Sequence, residues 1–378
     1  MAAERFEIRI KASKLLIAML LIIIPICFVG LFSLAQTDNA LERTAGAHFK
    51  TIAQMSAAQV ANFIHERVND ARNTTLAFGI VDAVTAANKK YQGKSDAEIA
   101  AAVGNIDKIW NTPAADPLLR EILSSPAALF LRKHQQYDPL LLRITVTDIR
   151  GAVVAATHKT VDYSQADEEQ WQNIYADGRG AVSITDILYD EVTKSNYIGI
   201  GIPILEEETN RLVGTLDALV DVSAIFPILR EVQLGPTGRL MLVKDDSTVI
   251  TAPGVSTSAR MKAEEYAAIR DALGSVAGRQ TGYIVASFRR GRQVIGFADT
   301  GLKDDYPNLG WVVLATQDTR EAFASVRTAD WVLALMSVLG LLGVVLFGVY
   351  VYLHRRPAYE DLAEVSAATV PASPATEP

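Results

Sequence analysis

Two uncharged apolar runs, one near each end of the 378-residue chain, limit what it can fold into more than any other feature. Residues 15–34 and 331–353 lack Asp, Glu, Lys and Arg over twenty and twenty-three positions. As helices rising ~1.5 Å per residue, both can cross ~30 Å of hydrocarbon, and both read as transmembrane helices. Arg5, Arg9, Lys11 and Lys14 precede the first run, and Arg355 and Arg356 follow the second. Basic flanks stay on the cytoplasmic side, so residues 1–14 and 354–378 are expected inside and 36–330 outside. Trp331, Tyr350 and Tyr352 mark the ends of the second run, where aromatic rings anchor at membrane interfaces. Ser33-Leu34-Ala35 has the small residues of a cleavage site, but the first run exceeds the ~7–15 apolar residues of a signal peptide. Pro25 is expected to kink that helix or to be incidental.

The external region must fold without a disulfide, because the only cysteine, Cys27, lies in the first run. A net charge of −7 and the lack of a basic stripe exclude nucleic acid as a partner. The Ala-, Pro-, Thr-, Ser- and Glu-rich tail after Arg356 cannot bury a core, so residues 354–378 are expected to be disordered and to hold no output domain.

Beyond the first run, Phe49, Ala53, Ala57, Val60, Ile64, Val68 and Ala71 recur at spacings of three and four. They form one stripe of a long helix over 36–75. The stripe either packs on its own domain or forms the seam of a homodimer. Residues 76–139 read as further helices broken at Pro113, Pro117, Pro126 and Pro139.

Strand signals begin at Leu140. "LLLRITVTDIRGAVVAAT" is a hairpin turning at 148–151. The acidic stretch "DYSQADEEQW" follows, then a short helix over 171–177 ending near Gly178. Strands are expected over 182–188, 197–205 and 212–222. In "IGIGIPI" the isoleucines take one face, while Gly199 and Gly201 share the other with Tyr197 and Pro203. Two glycines on one face imply a close approach there, by a packed helix or by a ligand. In the 212–222 strand Asp217 and Asp221 share a face.

A smaller unit repeats this plan over about 232–318. "GPTGRLMLV" and "TVITAP" flank a turn at 245–247, a helix is expected over 259–273, and a hairpin over 282–299 turns at Arg289-Arg290-Gly291-Arg292, which reads as a solvated tip. Residues 311–316 supply the last strand, and a helix from Asp318 leads into the second run.

Enzyme chemistry finds little to stand on. The histidines at 48, 65, 134, 158 and 354 lack the paired spacing of a zinc site. There is no G-x-S-x-G elbow or phosphate-cradling Gly-rich loop, and the Asp245-Asp246 pair falls in a turn, where Asp is favoured for backbone reasons. The chain reads as a non-enzyme without cofactor or metal.

The order of span, long helix, two α+β units and span resembles the double-Cache sensor modules of bacterial chemoreceptors and sensor kinases. The resemblance covers roughly 36–328. It is carried by "VTDIRGAVVAAT", "DYSQADEEQW", "DGRGAVSITDILYDEVT", "IGIGIPI", "VGTLDALVDVSAIF", "GPTGRLMLVKDDSTVI" and "LGWVVLATQDTREAF". It implies an α+β fold of two tandem PAS-like units, a distal one over about 76–225 and a proximal one over about 232–318. It also implies a small-molecule site in the distal unit and location in a bacterial inner membrane. Such receptors usually continue into a cytoplasmic output domain, whereas 25 residues follow Leu353 here, so the signal is expected to pass through a separate cytoplasmic or membrane partner.

In that picture Tyr163, Asp167 and Trp171 lie at the pocket mouth. Relatives that bind amino acids carry an Arg two residues before the Trp, where this chain has Glu169. Asp190 and Asp221 match ligand-facing aspartates of the family, and Asp217 shares the face of Asp221. Trp171, Tyr189 or Tyr197 could offer cation–π contact, and Asp190 or Asp221 could accept ammonium hydrogen bonds. The expected ligand is therefore an amine or another cationic or neutral compound. A rival reading is a non-sensory scaffold that binds another envelope protein.

Overall fold

The computed structural model describes residues 12–190, 195–232, 234–252, 263, 266, 281–288 and 291–354. Two compact bodies result: Ala45–Thr319, and the terminal stretches Met1–Thr44 with Arg320–Pro378. The expected helix over 259–273 and the Arg289-Arg290 tip lie outside the described residues, apart from Ala263 and Tyr266, as does the tail beyond His354.

The terminal body contains the start of helix α1 (Ala12–Thr75, 64 residues with Pro25 inside) and the helix Ala324–His354. The first span and the helix over 36–75, separate in the sequence reading, are thus one continuous helix. Among the described residues no helix is long and apolar enough to cross a membrane. The side chains of most of 15–41 and all of 325–334 are outside that description.

In the central body α1 is followed by α2 (Phe78–Lys89), α3 (Asp96–Ile109), α4 (Asp116–Ser124) and α5 (Pro126–Tyr137). The prolines start these pieces. Pro113 opens a 3-10 turn, Pro117 lies in the first turn of α4, and Pro126 begins α5. Proline costs little there, because the first N–H groups of a helix have no intrahelical acceptor. Ser95 caps α3 with a reciprocal box to Glu98.

Then come β1 (Leu141–Asp148), β2 (Val153–Ala156), α6 (Glu169–Tyr175), β3 (Ser183–Ile184), β4 (Leu188–Asp190), β5 (Ser195–Leu205) and β6 (Leu212–Asp221). They form an antiparallel sheet of order β2-β1-β6-β5-β3, with β4 also on β5. The single strand expected over 182–188 is two short ones, and α6 starts two residues before Trp171. After α7 (Ile225–Arg230), a second antiparallel sheet has the order β8-β7-β11-β10-β9. Its strands are β7 (Arg239–Lys244), β8 (Val249–Thr251), β9 (Thr281–Phe288), β10 (Gly291–Asp299) and β11 (Trp311–Asp318).

All seven residues of the α1 stripe, Phe49 to Ala71, are buried within the chain itself. The stripe therefore packs on its own domain. A dimer would have to use another face. Gly296 of β10 shows how close the helix comes, since a Cβ there would fall 2.2 Å from the backbone of Phe49.

Candidate functional site

Alternation along β1, β5 and β6 sends one set of side chains away from α2 and α5, and the register brings that set together. Thr145 pairs with Asp217, Arg143 with Leu219, Gly201 with Asp217 and Gly199 with Leu219. Helix α6 covers part of this face. A Cβ on Gly201 would fall 2.3 Å from Ile174 of α6, so this glycine seats the helix. Gly199, two residues away, borders a cavity of about 250 Å³.

The roof of the cavity is the acidic stretch, held from outside. Asp107 Oδ1 accepts the N–H groups of Tyr163 and Ser164 at 2.8 and 3.0 Å, and the Trp110 indole N–H donates to Thr160 O at 3.0 Å. Both anchors come from or adjoin α3. They hold Thr160, Val161, Gln165 and Glu168 over the sheet, where they line the cavity.

The floor carries opposite charges. Asp217 lines the cavity from β6, and its carboxyl is pushed up to about 6 by burial, against the lowering pull of the Arg143 charge and a Gln170 hydrogen bond. Gln170 Nε2 lies 3.4 Å from Asp217 Oδ1 and 3.2 Å from Ser183 O, while the Ser183 hydroxyl donates to Gln170 Oε1 at 3.1 Å. Arg143 lines the same cavity from β1. Among the described residues its buried Nε has no hydrogen-bond partner, and neither does the buried hydroxyl of Thr145, next to Asp217. Buried polar atoms are normally paired, and these two residues of the cavity lining each leave one unpaired. Trp171 gives an apolar side: its indole N–H is spent on Thr147 Oγ1 at 3.0 Å, and its ring stacks on Tyr175 at 4.7 Å.

Of the residues singled out in the sequence, Trp171, Tyr197 and Asp217 line this cavity. Asp167 is exposed and is not among the lining residues. Tyr163 belongs to the cluster around Trp110 on the other side of the sheet, where burial and the fields of Asp148 and Glu121 push its phenol up to about 12. Tyr189 pairs with Asn196 and Asp190 with Ser195 at the sheet edge, and neither lines the cavity; the Asp190 side chain is outside the described residues. Asp221 accepts from the Ser223 N–H at 2.7 Å, closing the end of its own strand. Glu169 is exposed on the first turn of α6.

Sequence reasoning missed Arg143, Thr145 and Gln170. Parity was the available signal, since Arg143, Thr145 and Thr147 alternate with the apolar Ile144 and Val146 along β1. Among the described residues no three His, Cys, Asp or Glu side chains are grouped to hold a metal.

Comparison with known proteins agrees with this architecture. The family model described as Cache domain, in its double form, matches residues 37–326. Similar solved structures include the ligand-binding domain of a Pseudomonas aeruginosa amino acid chemoreceptor in complex with GABA. It is 12% identical with TM-score 0.46, covering 72% of this chain and 99% of that one. Another is the ligand-binding domain of a Campylobacter jejuni chemoreceptor in complex with L-norvaline, 9% identical with TM-score 0.48, covering 75% and 94%. A second P. aeruginosa amino acid chemoreceptor domain, in complex with L-Arg, is 13% identical with TM-score 0.41, covering 74% and 97%. A search of curated proteins finds no match. With two antiparallel sheets behind one long helix and the family pattern spanning both, this chain belongs to the double-Cache family of extracytoplasmic sensor domains.

Proposed function

We propose that this protein is a membrane-anchored receptor whose first-sheet cavity binds a small molecule carrying an ammonium or other donor at one end and a carboxylate or other acceptor at the other. The observation that carries this reading is the pair of opposite charges on one wall: Asp217 to receive the donor, and Arg143 with Thr145 to receive the acceptor. The reading replaces the expectation of an amine or another cationic or neutral ligand, which rested on the aromatic rings and carboxylates and on the missing Arg before Trp171. A guanidinium reaches the site from β1 instead. Charge-assisted hydrogen bonds at both ends are roughly twice as strong as neutral ones, and an apolar ring between them suits a short carbon skeleton.

Membrane anchoring is supported by exposed apolar side chains at both ends of the chain. Ile17, Leu20, Leu21, Ile24 and Phe28 are exposed on α1, and Leu335, Met336, Leu339, Val345 and Leu346 on the helix Ala324–His354. Contiguous apolar surface of this extent marks a lipid or protein contact. Output through a separate partner protein completes the proposal.

The test is a thermal-shift and titration series on the full chain in detergent, using amino acids, simple amines and simple carboxylates. Compounds bearing both groups should stabilise it, and either group alone should do so at least tenfold less tightly. Equal binding of a plain amine would return the ligand to the amine class. A complete lack of response, together with a stable complex with an envelope protein, would favour a scaffold.

A further inference from the structure

Between β3 and β4 the backbone alternates in an unusual way. Ser183 and Thr185 face the cavity side. The Ser183 hydroxyl and carbonyl both bond Gln170, and Thr185 lines the cavity, exchanging two hydrogen bonds with Gly199 at 2.7 and 2.9 Å. Ile184 and Asp186 serve the second sheet. The Asn308 amide donates to Ile184 O at 3.0 Å, the Trp311 indole N–H lies 3.3 Å from Asp186 Oδ1, and Lys244 forms an ion pair with Asp186. Lys244 and Trp311 are themselves directly paired across β7 and β11.

One carboxylate therefore clasps the ends of two neighbouring strands of the second sheet, β7 and β11. Trp311 is fully buried and the Asp186–Lys244 pair is part-buried, so solvent screens these contacts less than it would a surface pair. β11 continues in sequence through Thr319–Ala322 into the helix Ala324–His354.

We infer that residues 183–187 are the coupling element of this receptor, Ser183 and Thr185 reading the cavity side and Ile184 and Asp186 passing its state to β7 and β11. The inference rests on the cavity being a ligand site, but the geometry it invokes is independent of which ligand enters. A group bound between Asp217 and Arg143 competes for Gln170, which also holds Ser183. Any shift of Ser183 moves a five-residue segment whose other face is fixed to the second sheet. Coupling of this kind is reciprocal, since each side biases the other by the same free energy.

The experiment needs no ligand. Hydrogen exchange is measured on the full chain in detergent for the wild type, for Gln170→Ala, for Asp186→Ala with Lys244→Met, and for all three changes together. Gln170→Ala should speed exchange in 311–318 at least threefold, and this effect should vanish once the Asp186 clasp is removed. Conversely, Asn308→Ala, outside the cavity, should speed exchange in 195–205. If Gln170→Ala does not fold, Ser183→Ala serves the same purpose more mildly. Exchange changes confined to the first sheet, or an unchanged effect on 311–318 without the clasp, would overturn the inference. Failure of every compound in the titration series would instead refute the ligand reading and leave this cycle interpretable.

Discussion

The two sheets share one plan and differ in what fills the same face. Each is a hairpin whose first strand pairs with the last strand of its unit, β1 with β6 and β7 with β11, followed by β5 or β10. In the first sheet those central strands present Arg143, Thr145, Thr147, Asp217 and Gly199, and a cavity remains. In the second, Met241, Val243, Ile295, Phe297, Val312 and Leu314 fill the face with Tyr266 and Ala263. Branched aliphatic and aromatic side chains interdigitate to native density. Charged groups resist burial unless something pairs with them, so the polar face stays open and the apolar one closes.

The largest effect should come from making the closed face resemble the open one. Val243→Arg would place an unpaired charge among apolar residues, and chemical denaturation should show a loss of about 3–5 kcal/mol. The converse change, Arg143→Met, should weaken binding of a zwitterionic ligand by about 2–3 kcal/mol, measured by titration calorimetry, while leaving the fold at least as stable. Unchanged affinity would break the link between polar floor and ligand.

The glycines sharpen the contrast within the first sheet. Gly201→Ala drives a methyl against Ile174 and should cost about 1–3 kcal/mol. Gly199→Ala meets only Thr185 and Asp217, at 3.3 Å or more, and should cost less while still perturbing binding. Comparable losses at both sites would mean that α6, and not the cavity, explains both positions.

The smallest effect is on pH dependence. The Asp217 pKa in the fold, about 6, lies above its unfolded value near 3.8, so the folded state binds more protons between them. Its contribution to stability therefore falls as pH rises from about 4 to about 6 and stays lost above that. Because the carboxyl borders a cavity, the change should be on the order of 1–2 kcal/mol. Asp217→Asn should flatten that part of a denaturation-versus-pH curve. Ammonium binding should follow the opposite trend in affinity, weakening below pH 6 as the carboxyl takes up its proton.

Much of this architecture was legible because local rules and global packing agree. Proline positions marked the starts of α4 and α5, the 3-4 spacing of Phe49 to Ala71 marked the buried stripe of α1, and strand alternation put Asp217 with Asp221 on one face. Parity could not decide which of the two meets a cavity. Asp221 sits at the strand end, where its carboxylate satisfies the next turn, while Asp217 lies opposite Thr145 in mid-sheet. Tyr163 shows the same limit: it lies within the acidic stretch in sequence, but Asp107 holds the backbone so that its ring joins Trp110 on the far side.

By itself, then, the sequence determined periodicity, and through it the two α+β units, the long helix and the apolar ends, since these depend only on spacing along one chain. The tertiary structure decided which polar residues meet: Arg143 beside Asp217 on the floor of one cavity, and Asp186 reaching Lys244 and Trp311. Such encounters depend on strand register and on the backbone path between distant segments. No one-dimensional pattern records a contact between residues 58 or 125 positions apart.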